Sequence, residues 1–116
     1  MKILVIDDEE LCQDLLRAMF ERIGTVLIAD SVAAGRQLYD ANPDADIVIV
    51  DGCINNRHNY DAGPMIRHIR ARGFKGPLIG ASGSTDLHQQ MMADGCDAAG
   101  QKNQAKKLAE QAMSSQ

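Results

Sequence analysis

Aromatic residues are scarce in this chain, and their scarcity argues against one common way of binding nucleic acid. The sequence has no tryptophan, two tyrosines and two phenylalanines, so aromatic residues make up 3% of it. Proteins that hold single-stranded nucleic acids stack the bases on exposed aromatic rings. The charge is also unfavourable, because residues 1–51 hold 11 acids against 4 bases and the whole chain has a net charge of -4. We therefore expect no direct contact with nucleic acid.

Cysteines and long hydrophobic runs are limited too. The three cysteines are an odd number at wide spacing with no CxxC pair, which argues against a disulfide framework or a zinc site. No window approaches the roughly eighteen apolar residues of a membrane-spanning helix, and the run Ile3–Ile6 is too short for a secretory signal. We expect reduced thiols, a cytoplasmic location, no membrane insertion, and a single domain formed by residues 1–116.

Two apolar runs that end in carboxylates are the most informative feature of the sequence. Ile3–Ile6 leads into Asp7 and Asp8, and Ile47–Val50 leads into Asp51. A continuous, β-branched run without polar alternation indicates a strand buried on both faces, as in a parallel sheet. Both acidic sites then lie at the carboxyl ends of strands, where open α/β sheets bind ligands. Three carboxylates gathered there repel one another unless a hard cation or a proton joins them, and the pattern indicates a Mg²⁺ site.

The remaining sequence alternates between strand and helix patterns. Strands are predicted at residues 3–6, 25–29, 46–51, 78–81 and 97–101, and helices at 9–23, 31–41, from Pro64, from Thr85, and at 104–113. Ser31 and Thr85 are the predicted N-caps of the second and fourth helices. The result is five βα units, which predicts an α/β fold with a five-stranded parallel sheet that is doubly wound.

These features resemble the receiver domain of the two-component response regulators (CheY-like), and the resemblance covers essentially the whole chain. The matching positions are Asp7 and Asp8 after strand one, Asp51 after strand three, Ser82 and Gly83 after strand four, and Lys102 after strand five. The resemblance implies a single receiver domain over residues 1–116, with the flavodoxin-like strand order 2-1-3-4-5.

The resemblance also implies a function. Asp51 would accept a phosphoryl group from a phosphohistidine of a sensor histidine kinase or a histidine phosphotransfer protein, and the chain would signal to a downstream target protein. Mg²⁺ would be bound directly by Asp8, Asp51 and the backbone carbonyl of Cys53, while Asp7 would act through water. Lys102 and the hydroxyl of Ser82 would contact phosphoryl oxygens. Such a domain promotes its own phosphorylation but is not a multiple-turnover enzyme.

Two residues depart from the family pattern near the expected output face. The family usually has an aromatic ring three positions before the lysine, and rotation of that ring reports phosphorylation, whereas Ala99 has no rotamer to switch. A proline in a cis peptide bond normally follows the lysine, but Asn103 stands here. Because a cis non-proline bond costs roughly 3 kcal/mol, we expect a trans bond or a rebuilt loop.

The segment after Asp51 departs as well. It lacks the usual proline, and the longer loop at residues 52–60 borders the site and is predicted to offer partner contacts. Cys53 and Ser84 occupy positions that tune phosphate lifetime in the family, and neither readily orients an attacking water, so we expect slow autodephosphorylation. The three histidines, which are His58, His68 and His88, are interpreted as surface residues.

Two alternatives to a phosphoacceptor remain open from the sequence. Ala99 and Asn103 favour a degenerate receiver that acts as a phosphorylation-independent interaction module. A magnesium phosphohydrolase with an aspartyl nucleophile is a third possibility. That chemistry usually needs a second acid close to the nucleophile, and Gly52 and Cys53 offer none.

Overall fold

Strands and helices alternate along the chain in a computed structural model that describes residues 1–55 and 58–114. The strands are β1 (Lys2–Ile6), β2 (Thr25–Ala29), β3 (Ile47–Val50), β4 (Leu78–Ala81) and β5 (Ala98–Gly100). The helices are α1 (Glu10–Phe20), α2 (Val32–Ala41), α3 (Gly63–Ala71), α4 (Thr85–Asp94) and α5 (Ala105–Ser114), with a 3₁₀ turn at Lys102–Gln104 before α5. No helix in the described part of the chain is long and apolar enough to cross a membrane.

The five strands form one parallel sheet in the order β2-β1-β3-β4-β5. The predicted fold class and strand order are therefore confirmed. In this register Ile6 of β1 pairs with Val50 of β3, so the residues that follow them leave the sheet side by side. The Asp51 amide donates to the Ile6 carbonyl at 2.9 Å. The two acidic segments thus meet at one edge because the sheet pairs the strands that precede them.

Helices cover both faces of the sheet, which explains why the central strands have no polar alternation. One face packs against α1 and α5 through Ile3, Val5, Ile47, Ile49 and Ile79. The other face packs against α2, α3 and α4 through Leu4, Ile6, Val48, Val50 and Leu78. Each of these strand residues is at most 1% exposed. Hydrophobic burial on both faces stabilises the sheet, and with it the edge that carries the site.

Two predicted helix ends differ from the structure. The first helix ends at Phe20 rather than at residue 23, because the chain must then pass close to the N-terminus before it enters β2. A Cβ on Gly24 would lie 2.1 Å from the Met1 carbonyl oxygen. Thr85 is not the N-cap of α4 but its first residue; Ser84 is at the cap position and its side chain accepts no capping hydrogen bond. Ser31, in contrast, caps α2 as predicted, because its hydroxyl accepts from the Ala34 amide at 3.0 Å.

Candidate functional site

Three carboxylates converge at the carboxyl edge of the sheet, as the sequence predicts. Asp7 and Asp8 follow β1 and Asp51 follows β3, and one ligand oxygen from each lies within 4.8 Å of the others. The residues Asp7 and Asp51 are buried, at 1% and 7% exposure. Like charges this close and this poorly solvated destabilise one another unless a cation or a proton intervenes.

The ionisation of Asp51 reflects this crowding. Burial raises its pKa to about 6, and the charge of Asp7 adds to the rise. Lys102 and a hydrogen bond from the Gly52 amide to Asp51 Oδ1 at 2.8 Å oppose that rise. Burial also raises the pKa of Asp7. Both carboxyls are therefore easier to protonate than ordinary aspartates when no metal neutralises them.

A divalent cation fits this cluster. The Oδ1 atom of Asp8 is buried and has no hydrogen-bond partner among the described residues, which would cost free energy unless a ligand satisfied it. Mg²⁺ prefers carboxylate and carbonyl oxygens and keeps several waters. Asp8 and Asp51 are suited to direct coordination, and Cys53 lines the same cavity as Asp51. Coordination by the Cys53 carbonyl stays a prediction.

Lys102 supplies the positive charge in the site. Its Nζ lies 2.8 Å from Asp7 Oδ2 and 3.6 Å from Asp51 Oδ2, and its side chain is 16% exposed. Burial lowers the pKa of Lys102, but its contact with Asp7 and the nearby negative charges outweigh burial and raise that pKa above the ordinary value. The ammonium therefore stays protonated beside the acids.

The backbone that presents Lys102 is fixed without a cis peptide bond. No cis bond occurs among residues 1–55 and 58–114, so the predicted trans bond at Asn103 is confirmed. Gln101 and Gln104 instead form a reciprocal capping box around the 3₁₀ turn. In this capping box the backbone amide of Gln101 donates to the side-chain Oε1 of Gln104 at 3.0 Å. Side-chain capping thus orders the turn that places Lys102.

Ser82 completes the site at the end of β4. The residue is 4% exposed, and its amide donates to the Gly100 carbonyl of β5 at 3.0 Å. Its hydroxyl oxygen accepts a long hydrogen bond from the Ser84 amide at 3.3 Å. Ser82, Asp51 and Lys102 line one cavity of about 220 Å³. The cavity is large enough for a phosphoryl group, and an acidic, a basic and a hydroxyl side chain line it.

Comparison with solved structures agrees with the observed fold. The sequence matches no family model and no curated protein, but it matches many solved structures. A response regulator receiver domain protein from Clostridium thermocellum is 22% identical, with a TM-score of 0.81 over 98% of this chain and 94% of that chain. The receiver domain of NtrX from Brucella abortus is 17% identical, with a TM-score of 0.82 over 98% of this chain and 99% of that chain. The chain has the fold of receiver domains.

A third structure is the receiver domain of DrrB, described as activated by BeF3. It is 13% identical, with a TM-score of 0.78 and coverage of 97% of each chain. On the receiver-domain fold shared by these structures, Asp7, Asp8, Asp51, Ser82 and Lys102 all lie at the sheet edge for which the sequence predicted them. The resemblance that placed these residues is therefore consistent with the folded arrangement.

The loop between β3 and α3 is irregular in its described part, and the side chain of Asp61 binds its two ends together. The two carboxylate oxygens of Asp61 each accept a backbone amide at 2.7 Å, one from Ile54 and one from Asn55. Asn56 and Arg57, which were included in the predicted partner-contact loop, lie outside the described residues. Burial and the charge of Asp51 raise the pKa of the Cys53 thiol, which disfavours the reactive thiolate.

The sequence interpretation missed the contacts of two histidines and of Glu9. His68 and His88 are half-buried rather than simple surface residues, since His68 Nε2 lies 2.9 Å from Asp40 Oδ1 and His88 Nε2 lies 2.9 Å from the Ser82 carbonyl oxygen. Glu9 lines the cavity of Asp51, and its amide donates to Asp7 Oδ1 at 2.9 Å. Position 88 lies one helical turn into α4, so its proximity to the end of β4 could have been suspected from the helix alone.

Proposed function

We propose that this chain is a response regulator receiver domain in which Asp51 accepts a phosphoryl group. The donor would be a phosphohistidine of a sensor histidine kinase or a histidine phosphotransfer protein in the cytoplasm, and the phosphorylated chain would signal to a downstream target protein. One observation carries the proposal: the buried carboxylate of Asp51 shares a cavity with Ser82 and Lys102, and its Oδ2 lies 3.6 Å from Lys102 Nζ.

The residues of this cavity suit phosphoryl transfer. A carboxylate oxygen of Asp51 forms the bond to phosphorus, and the P–N bond to the donor imidazole breaks with its electron pair leaving on the imidazole nitrogen. Such transfer depends chiefly on positioning and on neutralising the charge of the phosphoryl oxygens. The Lys102 ammonium neutralises one oxygen and the Ser82 hydroxyl donates a hydrogen bond to another. Asp8 and Asp51 would hold Mg²⁺, which would supply further neutralisation of the phosphoryl charge.

This function predicts stoichiometric phosphorylation, not turnover. The protein would be incubated with a small phosphodonor and Mg²⁺ and followed by intact mass. We expect a gain of one phosphoryl group in the wild type and in Asp14→Asn, which changes an exposed aspartate on α1. We expect no gain in Asp51→Asn or in excess chelator. A gain in Asp51→Asn equal to the wild type would refute the assignment, and continuous hydrolysis of a phosphate ester would favour a phosphohydrolase.

The degenerate receiver stays the second candidate because the output face lacks a ring. Ala99 lies on β5, beside Gly80 of β4, and the side chain of Met91 occupies the space above Gly80. Binding of beryllofluoride, a phosphoryl analogue, separates the two functions. A phosphoacceptor binds it only when Mg²⁺ is present, whereas an interaction module with an inactive site does not bind it under either condition.

A further inference from the structure

Helix α4 is attached directly to the end of β4 by one side chain. His88, in the first turns of α4, places its Nε2 atom 2.9 Å from the Ser82 carbonyl oxygen. A carbonyl oxygen only accepts hydrogen bonds, so Nε2 must carry the proton and donate. Both the neutral ring with hydrogen on Nε2 and the charged ring satisfy this bond. The contact therefore does not depend on protonation of the ring.

The bond from His88 matters because it restrains the second of the two backbone polar groups of Ser82. The Ser82 amide is held by the Gly100 carbonyl at 3.0 Å, and the Ser82 carbonyl is held by His88. With both backbone groups of the residue bound, the direction in which the hydroxyl leaves the chain is restricted. That hydroxyl lies in the cavity that contains Asp51.

No side-chain N-cap holds the start of α4. Ser84 at its N-cap makes no side-chain capping bond. Apolar packing instead brings the helix against the site, since a Cβ on Gly52 would lie 3.0 Å from Leu87 Cδ1 and 3.5 Å from Met91 Sδ. The helix therefore contacts the residue after Asp51 by packing and contacts Ser82 by the hydrogen bond from His88.

We propose that His88 is a positioning residue for phosphorylation: it holds the Ser82 backbone so that the Ser82 hydroxyl meets the phosphoryl group, and it ties α4 to Ser82. The inference rests on the proposed function of Asp51. The hydrogen bond from His88 also connects α4 directly to the site. This matters because β5 has Ala99 where receiver domains usually have an aromatic residue.

A matched pair of substitutions isolates the hydrogen bond. His88→Gln keeps a donor at about the reach of Nε2, and His88→Met has a similar length and flexibility but no donor. Each is made in the wild type and in Ser82→Ala, and the rate of phosphorylation by a small phosphodonor with Mg²⁺ is measured. The free energy of unfolding is measured for every variant, so that a loss of folding is separated from a loss of positioning.

We expect His88→Met to slow phosphorylation about 3- to 10-fold, the range for one lost hydrogen bond, and His88→Gln to stay within about 2-fold of wild type. In Ser82→Ala the same His88→Met change should have almost no further effect, because the group it positions is gone. In hydrogen exchange with bound beryllofluoride, protection of α4 should rise in His88→Gln and not in His88→Met.

Other outcomes overturn the inference. An equal rate in His88→Met and wild type would show that the bond is not used, and an equal loss in both Ser82 backgrounds would show that His88 acts by packing alone. If His88→Gln and His88→Met both lose stability and phosphorylation rate to the same extent, the shape of the histidine ring matters and its hydrogen-bond donor does not. If the wild type itself takes up no phosphoryl group, the proposed function fails, and this inference fails with it.

Discussion

Lys102 forms its closest ion pair in the site with Asp7, not with Asp51. Its Nζ lies 2.8 Å from Asp7 Oδ2 and 3.6 Å from Asp51 Oδ2. Asp7 is the more deeply buried of the two acids, at 1% exposure, so its charge has the greater need of a partner. Asp7 thus holds the lysine at one side of the cavity, and Asp51 is left at the longer distance from the ammonium.

Removing the lysine charge tests this arrangement. Lys102→Met should lower the free energy of unfolding at pH 7.5 by about 2–4 kcal/mol, because it leaves two buried carboxylates without their cation. The loss should shrink toward pH 4, because the pKa values of Asp7 and Asp51 are both raised and the acids become neutral as the pH falls. Urea unfolding at both pH values measures it. Lys107→Met, on the exposed side of α5, is the control and should change little; an equal loss there would contradict the assignment.

The raised pKa of Asp51 predicts a pH dependence of stability in the absence of metal. The folded-state pKa of about 6 lies above the ordinary 3.8, so the folded protein binds more protons between these values. This contribution to stability is complete below the ordinary pKa and is lost as the pH rises through about 6.

Asp51→Asn should therefore stabilise the protein in chelator at pH 7.5, by about 1–3 kcal/mol. Its stability should also fall less between pH 4 and pH 6 than that of the wild type. Chemical unfolding across this range measures both effects. Asp14→Asn should leave the pH profile of stability unchanged. A profile for Asp51→Asn that parallels that of the wild type would mean that the pKa of Asp51 is not raised in the folded protein.

Mg²⁺ should offset the electrostatic repulsion between the three carboxylates. At a Mg²⁺ concentration tenfold above its dissociation constant, the wild type should gain about 1.4 kcal/mol of stability. Asp8→Asn should lose this gain, because the buried Asp8 Oδ1 has no hydrogen-bond partner among the described residues and is suited to hold the ion. Thermal unfolding with Mg²⁺ or chelator measures the gain. Glu10→Gln removes a nearby exposed charge and should keep the gain; if Asp8→Asn keeps it as well, the proposed metal site is wrong.

The packing of α2 on the sheet predicts an unusual response to alanine. Gly35→Ala should improve helix propensity by about 1 kcal/mol, yet we expect net destabilisation of about 1–2 kcal/mol from overpacking. A Cβ on Gly35 would lie 2.6 Å from Met65 Sδ and 2.8 Å from Ile6 Cγ2. Gln37→Ala, at an exposed position of the same helix, should stay within about 0.5 kcal/mol of wild type. A more stable Gly35→Ala would show that α2 packs less closely than the structure has it.

Much of the fold and most of the site could be predicted from the sequence because both depend on strong local signals. Apolar runs without polar breaks indicate buried strands, and the carboxyl ends of parallel strands share one edge. That reasoning places Asp7 and Asp51 side by side, as the pairing of Ile6 with Val50 confirms. The positions of Ser82 and Lys102 came from the resemblance to receiver domains, because a single serine or lysine has no local signal of this kind.

The features that the sequence did not predict depend on contacts between distant parts of the chain. The early end of α1 follows from the approach of Gly24 to Met1, which no periodicity within the helix reports. The bond from His88 to the Ser82 carbonyl joins a helix to a strand end, and a histidine pattern alone does not distinguish it from a surface residue. The role of Gln104 in ordering the turn at Lys102 required the backbone geometry of that turn.

The most direct test of the account is to locate the phosphoryl group on the chain. After phosphorylation with a small phosphodonor and Mg²⁺, borohydride reduces an aspartyl phosphate to homoserine, and peptide mass spectrometry reports the residue. We expect homoserine at position 51 in the wild type and at no position in Asp51→Asn. Homoserine at Asp7 or Asp8, or a phosphoryl group that resists reduction and stays on a serine or histidine, would contradict it.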